Sequence, residues 1–577
     1  MGDYEKEQQR LLALWEDMES DDEVINNDDS EEEDIDNISV CSDYPDMEQD
    51  AEDELEPAEE QTQAKYFFGK DGTKWSKQHP NKKVRTRAEN IIIHLPGVKK
   101  PAKMAKTPLE CFSLFIDEQM IADIVERTNE RITEKCAQWK DSPHYGQTSA
   151  VEIKAIFGLL YLSGVFRNNH RHLYELWNTD GTGMDIFPAT MSQRRCEFLI
   201  SCLRFDNKSN RAERVNVDKL AHIRAIFDRF VQNCQSAYSP SEYLTIDEKL
   251  ESFRGKCSFR QFIPNKPARY GIKVHALVDA RTYYVLNMEV YVGQQPQGPF
   301  RVSNKPKDII DRLVAPVSKT NRNITFDNWY TSLELLQSLR QKHQLTAVGT
   351  IRKNKPYLPP AFLNVKNRDN CSTLFGFHEG NTLVSYCPKK GKVVLLLSSL
   401  HHDDAVDQTD KKLPEVISFY NFTKCGVDVV DEMSASYNVS RNSRRWPLRL
   451  FYSLLNTTGI NSQIIYRENN NGIKMARRHF LKKLGIQLVE AHQRSRMSNP
   501  RLTRELRGNI RKLLKEEDSE PLSKKRKPNQ QGRCSECPRA KDRKTRYICE
   551  ACDKFICLEH AVTYCKNCSD LSSTANE

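Results

Sequence analysis

The sequence predicts an α/β protein: a mixed sheet flanked by helices, embraced by further helical segments and followed by a metal-binding module. Three observations carry that reading. Apolar strand-like runs succeed one another between residues 243 and 292, and helical and strand-like runs then alternate to residue 351. Helical spacing dominates on both sides, from about Thr107 and again from residue 444. Cysteine pairs crowd residues 531–577. At 577 residues the chain is too long for one hydrophobic core, so several domains are expected.

Residues 1–60 hold 26 Asp and Glu against Lys6 and Arg10, a net of −24, whereas the rest of the chain carries +32. Dense charge with few large apolar groups cannot offset the entropy of ordering. Residues 1–106 are therefore expected to be a disordered acidic tail and basic linker. From residue 107, Phe112, Phe115, Ile116, Met120, Ile121, Ile124 and Val125 recur at three-to-four spacing. Ile156–Leu162 and Ile223–Phe230 extend this first helical part to residue 242.

The first part of the core spans 243–351. It reads as strands Tyr243–Ile246, Ile272–Val278 and Tyr283–Val292, with an Asp-Ala-Arg-Thr turn at 279–282. Helix Asp308–Val314, strand Ile324–Phe326, a helix from Ser332 to Leu339 and strand Leu345–Ile351 follow. Residues 352–413 interrupt the alternation: Thr382–Cys387 and Val393–Ser398 flank Pro-Lys-Lys-Gly-Lys, a hairpin signal, so a β-rich insertion is expected. Strand Val416–Tyr420 and a helix from Val427 to Tyr437 complete the core over 414–437. Residues 438–492 read as a second helical part, 493–530 as a basic linker and 531–577 as the cysteine-rich domain.

Mean hydropathy is −0.68, and the aliphatic run Val393–Leu397 is far shorter than a bilayer span. The first residues lack the apolar stretch of a signal peptide, and Lys6 stands where a myristoylation pattern needs Ser or Thr. A soluble intracellular chain with no membrane partner is expected, its 17 cysteines reduced or metal-bound. The basic body should attract a polyanion, nucleic acid first. His401-His402-Asp403-Asp404 reads as an exposed loop within the insertion.

Four acids stand out by placement. Asp247 follows Tyr-Leu-Thr-Ile and Asp327 follows Asn-Ile-Thr-Phe, so each ends a strand-like run. Asp428 and Asp431 lie three apart on a predicted helix and share a face. Carboxylates gathered beyond strand ends repel one another unless cations sit between them, and Mg²⁺ suits such a site. Two ions roughly 3.5–4 Å apart can serve an in-line phosphoryl displacement. Taken singly, a strand-end Asp is more often a turn or cap residue, and Asp327 before Asn-Trp-Tyr-Thr-Ser fits that role too. Trp329 reads as packing.

The tail runs Cys534-x2-Cys537-x11-Cys549-x2-Cys552-x4-Cys557-x2-His560-x4-Cys565-x2-Cys568. Four such pairs suit two tetrahedral Zn²⁺ per chain. We expect a crossed pairing, with Cys534, Cys537, Cys557 and His560 on one ion and the other four cysteines on the second, although the spacing also allows sequential pairing. Lys524, Lys525, Arg526 and Lys527 before Pro528 read as a nuclear localisation signal, hence a nuclear protein handled by the import machinery.

Several dispersed strings resemble piggyBac-family transposases: Leu-Thr-Ile-Asp-Glu (244–248), Phe-Arg-Gly-Lys (253–256), Ile-Pro-Asn-Lys-Pro (263–267) and Tyr-Gly-Ile-Lys (270–273). Asn-Ile-Thr-Phe-Asp-Asn-Trp (323–329), Gly-Val-Asp-Val-Val-Asp (426–431) and Arg-Trp-Pro (445–447) continue the likeness, in the family's order, from about residue 107 to 470. The resemblance implies an RNase H-like catalytic core. It assigns Asp247, Asp327 and Asp428 as a metal-holding triad and Asp431 as a further required acid. It also implies two Mg²⁺ per active site, and helical parts serving dimerisation and DNA binding, hence a homodimer. Cut-and-paste transposition through hairpin ends into TTAA targets would follow, with transposon-end repeats and TTAA DNA as partners.

The loop after Asp247 carries Arg254, Lys256, Arg260, Lys266 and Arg269, and Arg352, Lys353 and Lys355 follow the strand after Asp327. These are expected to position phosphates. Arg445 and Trp446 join that expectation, Trp446 either stacking on an unpaired base or packing in the core. Against the enzyme stands a domesticated, DNA-binding derivative that moves nothing. A RING- or PHD-like interaction tail ranks lower, because it leaves the basic body unexplained.

Overall fold

The computed structural model describes residues 65–80, 91–136, 146–168, 171–263, 268–366, 368–473, 475–500, 502–515, 531–549 and 554–561. The described residues fall into two compact units, divided between Leu506 and Arg507.

The first unit is organised on one eleven-stranded sheet. Its strands are β1 (Tyr66–Phe68), β2 (Lys74–Ser76), β5 (Tyr243–Ser252), β6 (Gln261–Phe262), β7 (Tyr270–Asp279), β8 (Val285–Val290), β9 (Asn323–Phe326), β10 (Thr346–Thr350), β11 (Ser372–His378), β12 (Asn381–Lys389) and β13 (Lys392–Ser398). The short strands β3 (Gly97–Val98) and β4 (Tyr238–Ser239) pair apart from it. The spatial order is β1-β2-β11-β12-β13-β10-β9-β5-β7-β6, with β8 also on β7. Parallel pairing joins β10 to β9 and β9 to β5, and the remaining pairs are antiparallel. This is the mixed sheet with flanking helices expected from the alternating pattern.

The helices that frame the sheet and the site are α1 (Pro108–Ser113), α2 (Glu118–Cys136), α3 (Ala150–Val165), α4 (Gln193–Cys202), α5 (Arg224–Ala237), α6 (Pro306–Val314), α7 (Leu333–His343), α8 (Glu415–Thr423), α9 (Gly426–Ser436), α10 (Trp446–Asn469) and α11 (Arg477–Met497). Sequence signals start several of them. Thr107 and Glu110 form a capping box on α1, and Ser149 and Ser332 cap α3 and α7. The two sequence-distant helical parts meet directly. Helices α3 and α11 cross where Gly158 and Gly485 lie: a Cβ on Gly158 would come within 2.8 Å of the Gly485 carbonyl oxygen. The Tyr161 hydroxyl donates to the Leu455 carbonyl of α10 at 2.6 Å.

Four expectations need correcting. Residues 65–80 belong to the fold rather than to a disordered linker: β1 and β2 extend the sheet edge, and Trp75 is fully buried, donating from Nε1 to the Tyr357 carbonyl at 2.8 Å. Residues 91–106 are also structured, with β3 and a short helix at Lys100–Met104. Residues 415–423 form helix α8, not a strand. Val416, Ile417, Phe419 and Tyr420 fit helical spacing as well as a strand run, and packing against the sheet decides for the helix. Residues 493–530 are not all linker: α11 runs to Met497, and a helix covers Arg504–Leu514.

The β-rich insertion is present, and its strands continue the core sheet. Val348, Gly349 and Thr350 of β10 pair with Ser398, Leu397 and Leu396 of β13. The expected localisation signal at Lys524, Lys525, Arg526 and Lys527 lies outside the described residues. Among the described residues no helix is long and apolar enough to cross a membrane.

Candidate active site

Ile246 of β5 and Phe326 of β9 are partners in a parallel pair, and the register ends there. The next residues are Asp247 and Asp327. Strand β5 does not stop at Ile246, as the apolar run suggested. It continues to Ser252, paired only with β7, while the chain after β9 turns away. That turn is built by Asp327 itself, whose Oδ1 accepts from the Trp329 N–H at 2.9 Å and whose carbonyl accepts from the Thr331 hydroxyl at 2.7 Å. The turn-forming role and the placement beside Asp247 coexist.

Asp428 arrives from above. The junction between α8 and α9 is pinned to the sheet two residues before each strand-end acid. The Thr245 hydroxyl donates to the Thr423 carbonyl at 2.5 Å, and the Thr325 and Thr423 hydroxyls are 2.7 Å apart. Gly426, which opens α9, must be glycine, because a Cβ would stand 2.6 Å from Thr245 Oγ1. Two residues later comes Asp428, exposed in the first turn of α9. Tyr420, nearly buried on α8, feels all three acids. Burial raises its phenol, a hydrogen bond with Thr350 opposes that, and Asp327, Asp247 and Asp428 push it further up. Asp431, one turn beyond Asp428, instead meets the buried ammonium of Lys249 at 3.4 Å.

Sequence reasoning gave Glu248 no role. Strand alternation turns it to the opposite face from Asp247, where it meets Lys273 at 3.3 Å. Burial first, and Glu248 second, push the Asp327 carboxyl up to about 6. Lys273 lies 4.6 Å over the Trp329 ring, which stacks on His275 at 5.7 Å, and His275 Nδ1 is 2.6 Å from the Tyr330 hydroxyl. Trp329 is therefore packing, as read. No short-range sequence signal marks Glu248, since its closeness to Asp327 depends on the β5–β9 register.

Asp247, Asp327 and Asp428 offer hard carboxylate oxygens and all three act on the same Tyr420 phenol, so the chemistry of the donor set fits a divalent ion such as Mg²⁺. The acids are nevertheless looser than the tail cluster. Among the described residues, the set of three or more donors drawn within 4.8 Å of one another is Cys534, Cys537, Cys557 and His560. That set is the first half of the crossed pairing. Its cysteine Cys534 is held down at about 6, foremost by the Cys557 backbone N–H. Three thiolates and one imidazole suit tetrahedral Zn²⁺. Cys549 is described and half-buried, whereas Cys552, Cys565 and Cys568 lie outside the described residues.

The basic residues divide. A cavity of about 1250 Å³ is walled by Arg254, Lys256, Arg260, Arg441, Arg444 and Arg449 with no acid in its lining. Arg254, Lys256, Arg260 and Arg269 are exposed, and Lys266 falls outside the described residues. Exposed Arg352 reaches Asn328 Oδ1 at 3.2 Å, beside the Asp327 turn, with Lys353 and Lys355 half-buried after it. Arg445 corrects the expectation of a DNA contact: its guanidinium donates to the carbonyls of Ile200, Ser201 and Leu203 and so closes the end of α4. Trp446 packs edge-on against Phe259 and His222, the core alternative. His401 is hydrogen-bonded to Ser398 rather than solvated, and only Asp404 of the His-His-Asp-Asp run is exposed.

The comparisons agree with this architecture. A family profile described as Transposase IS4 matches residues 107–463. PiggyBac transposable element-derived protein 3 of Homo sapiens is 24% identical over 484 residues, covering 80% of this chain and 76% of that protein. PiggyBac transposable element-derived protein 2 of Homo sapiens is 25% identical over 426 residues, 70% of this chain and 68% of that one. A piggyBac transposase synaptic complex with hairpin DNA superposes with a TM-score of 0.73 at 36% identity, covering 82% of this chain and all of that one. The profile takes in more than half of the sequence, and the chain belongs to the piggyBac transposase family.

Proposed function

We propose that the chain is a nuclear, metal-dependent DNA transposase of the cut-and-paste type. It would cleave transposon ends, pass through hairpins and join them at TTAA, acting as a homodimer. The observation that carries the reading is the pairing of Ile246 with Phe326, which sets Asp247 and Asp327 side by side below Asp428. Those three carboxylates would hold Mg²⁺, two ions per site, which when bound neutralise charge on the phosphate under attack. The chain's own residues do the rest. The Thr423 anchor fixes where the helix carrying Asp428 begins, and Arg254, Lys256, Arg260 and Arg352 hold phosphates near the acids. The zinc module would bind transposon-end DNA.

A second reading, DNA binding without transposition, draws on the human relatives, whose names describe them as derived from transposable elements. All four acids are retained here, which favours the enzyme. Purified protein with Mg²⁺ and DNA bearing the source element's inverted repeats should nick and form hairpins. Asp247→Ala, Asp327→Ala and Asp428→Ala should each abolish both steps while DNA binding persists. Cleavage surviving in any of the three would overturn the triad, and binding without cleavage by the unaltered protein would favour the second reading.

A further inference from the structure

Lys249 is the one buried lysine among the described residues, 2% exposed. An ammonium removed from water needs paired charge. It finds Glu251 Oε1 at 3.0 Å and Asp431 Oδ1 at 3.4 Å. Glu251 is itself held from α10: Oε1 accepts from the Ser453 hydroxyl at 2.5 Å, and Oε2 meets Arg449 at 3.2 Å. Arg449 lines the basic cavity. A continuous relay, Asp431–Lys249–Glu251–Arg449, thus joins α9, β5 and α10. By strand alternation Lys249 and Glu251 share the face of Asp247, and Asp431 stands one helical turn after Asp428.

Beyond the Thr423 anchor before its first turn and the Arg477 guanidinium on the Met433 carbonyl, helix α9 is seated by Gly426, Val427, Val429 and Val430, all buried. Apolar contact is non-directional and sets a helix's rotation only loosely. An ion pair is directional, yet one whose ammonium is buried adds little stability compared with apolar residues of the same volume. Its presence beside the acids is best accounted for by geometry.

We propose that Lys249 is a positioning residue: by holding Asp431 it fixes the rotation of α9 and so presents Asp428 to the crevice shared by Asp247 and Asp327. Through Glu251 and Arg449 the same relay ties that crevice to the basic cavity. The proposal rests on the metal-holding role of the three acids. Burial works against the charge on Lys249, and Glu251 and Asp431 outweigh it, so the ammonium persists.

The test is Mn²⁺ titration of the full chain, followed by electron paramagnetic resonance of free Mn²⁺, with Asp327→Asn defining binding outside the active site. Lys249→Met should weaken active-site Mn²⁺ binding about tenfold or more, the range seen when groups behind metal ligands are removed. Lys249→Met/Glu251→Gln restores charge balance in the buried relay and should regain the melting temperature of the unaltered protein. Its Mn²⁺ binding should remain weakened. Lys249→Arg, which keeps a cation for Asp431, should recover part of the affinity. Unaltered Mn²⁺ affinity in the double variant would show a purely structural role and end the proposal. If the unaltered protein binds no more Mn²⁺ than Asp327→Asn, the metal-holding reading itself fails and the proposal falls with it.

Discussion

Asp247 and Asp327 leave the sheet side by side because Ile246 and Phe326 are the last register partners of two parallel strands, one of ten residues and one of four. Two residues earlier on the same strands, Thr245 and Thr325 hold Thr423, so the third acid is located by the same register that locates the first two.

Asp327 gives the metal-free protein a pH signature. Its carboxyl is raised from 3.8 to about 6, by burial first and Glu248 second. The folded state therefore binds more protons than the unfolded one between about pH 4 and 6, and this group's contribution to stability is lost as pH rises through that window. Asp327→Asn should flatten that slope, and Glu248→Gln should move its midpoint downward. Thermal melts from pH 4 to 7 in chelator decide; an unchanged midpoint in Glu248→Gln removes Glu248 as a cause.

The basic residues should separate by salt dependence. Arg254→Ala, Lys256→Ala and Arg260→Ala should each weaken DNA binding and reduce the log-affinity against log-salt slope by about 0.9 per lost phosphate contact. Arg445→Ala should leave the slope alone and lower the melting temperature, since it uncovers three carbonyls that its guanidinium now satisfies. Filter-binding titrations from low to moderate salt would read the slopes, and thermal melts the loss of stability in Arg445→Ala.

Trp75→Ala should cost ~3–5 kcal/mol if the edge hairpin unfolds together with the sheet, the usual range for removing a fully buried large aromatic. Should the hairpin detach alone, denaturant midpoints will hold while amide exchange over residues 65–80 accelerates. Either result shows how firmly that edge is fastened.

Loss of zinc should act on the second unit alone. Cys537→Ser and Cys557→Ser should each forfeit the same zinc ion, because both sulfurs belong to the cluster with Cys534 and His560. Metal analysis of the two single variants and the double should give equal losses; an additive loss would point to sequential pairing.

Much of the site was legible because its carriers are local. A polar acid closing an apolar run shows in four or five residues, and the cysteine spacing shows in the same way. What escaped depends on contacts distant in sequence. Val416 to Tyr420 is a short apolar run whose helical state is chosen by packing on the sheet. Trp75 sits in a polar, basic stretch, and partners far along the chain, Tyr357, 282 residues away, and His378, make it a core residue. Nothing beside Lys249 in the sequence marks it as buried; the continuation of β5 past Asp247 carries it inward. Glu248 adjoins a recognised acid in sequence, yet its effect on Asp327 arises across two strands.

The bonding of β13 onto β10 has a practical corollary for anyone cutting this protein into pieces. A segment inserted between two strands is commonly treated as a cassette that can be excised and the ends rejoined. Here the excision of residues 352–413 would strip one full side of β10 and leave bare N–H and C=O groups one strand away from the turn at Asp327. Such an edge invites pairing with another copy, so the truncated chain should aggregate before it loses its acids. The cassette and the catalytic half are one continuous hydrogen-bonded object, and engineered variants must carry both.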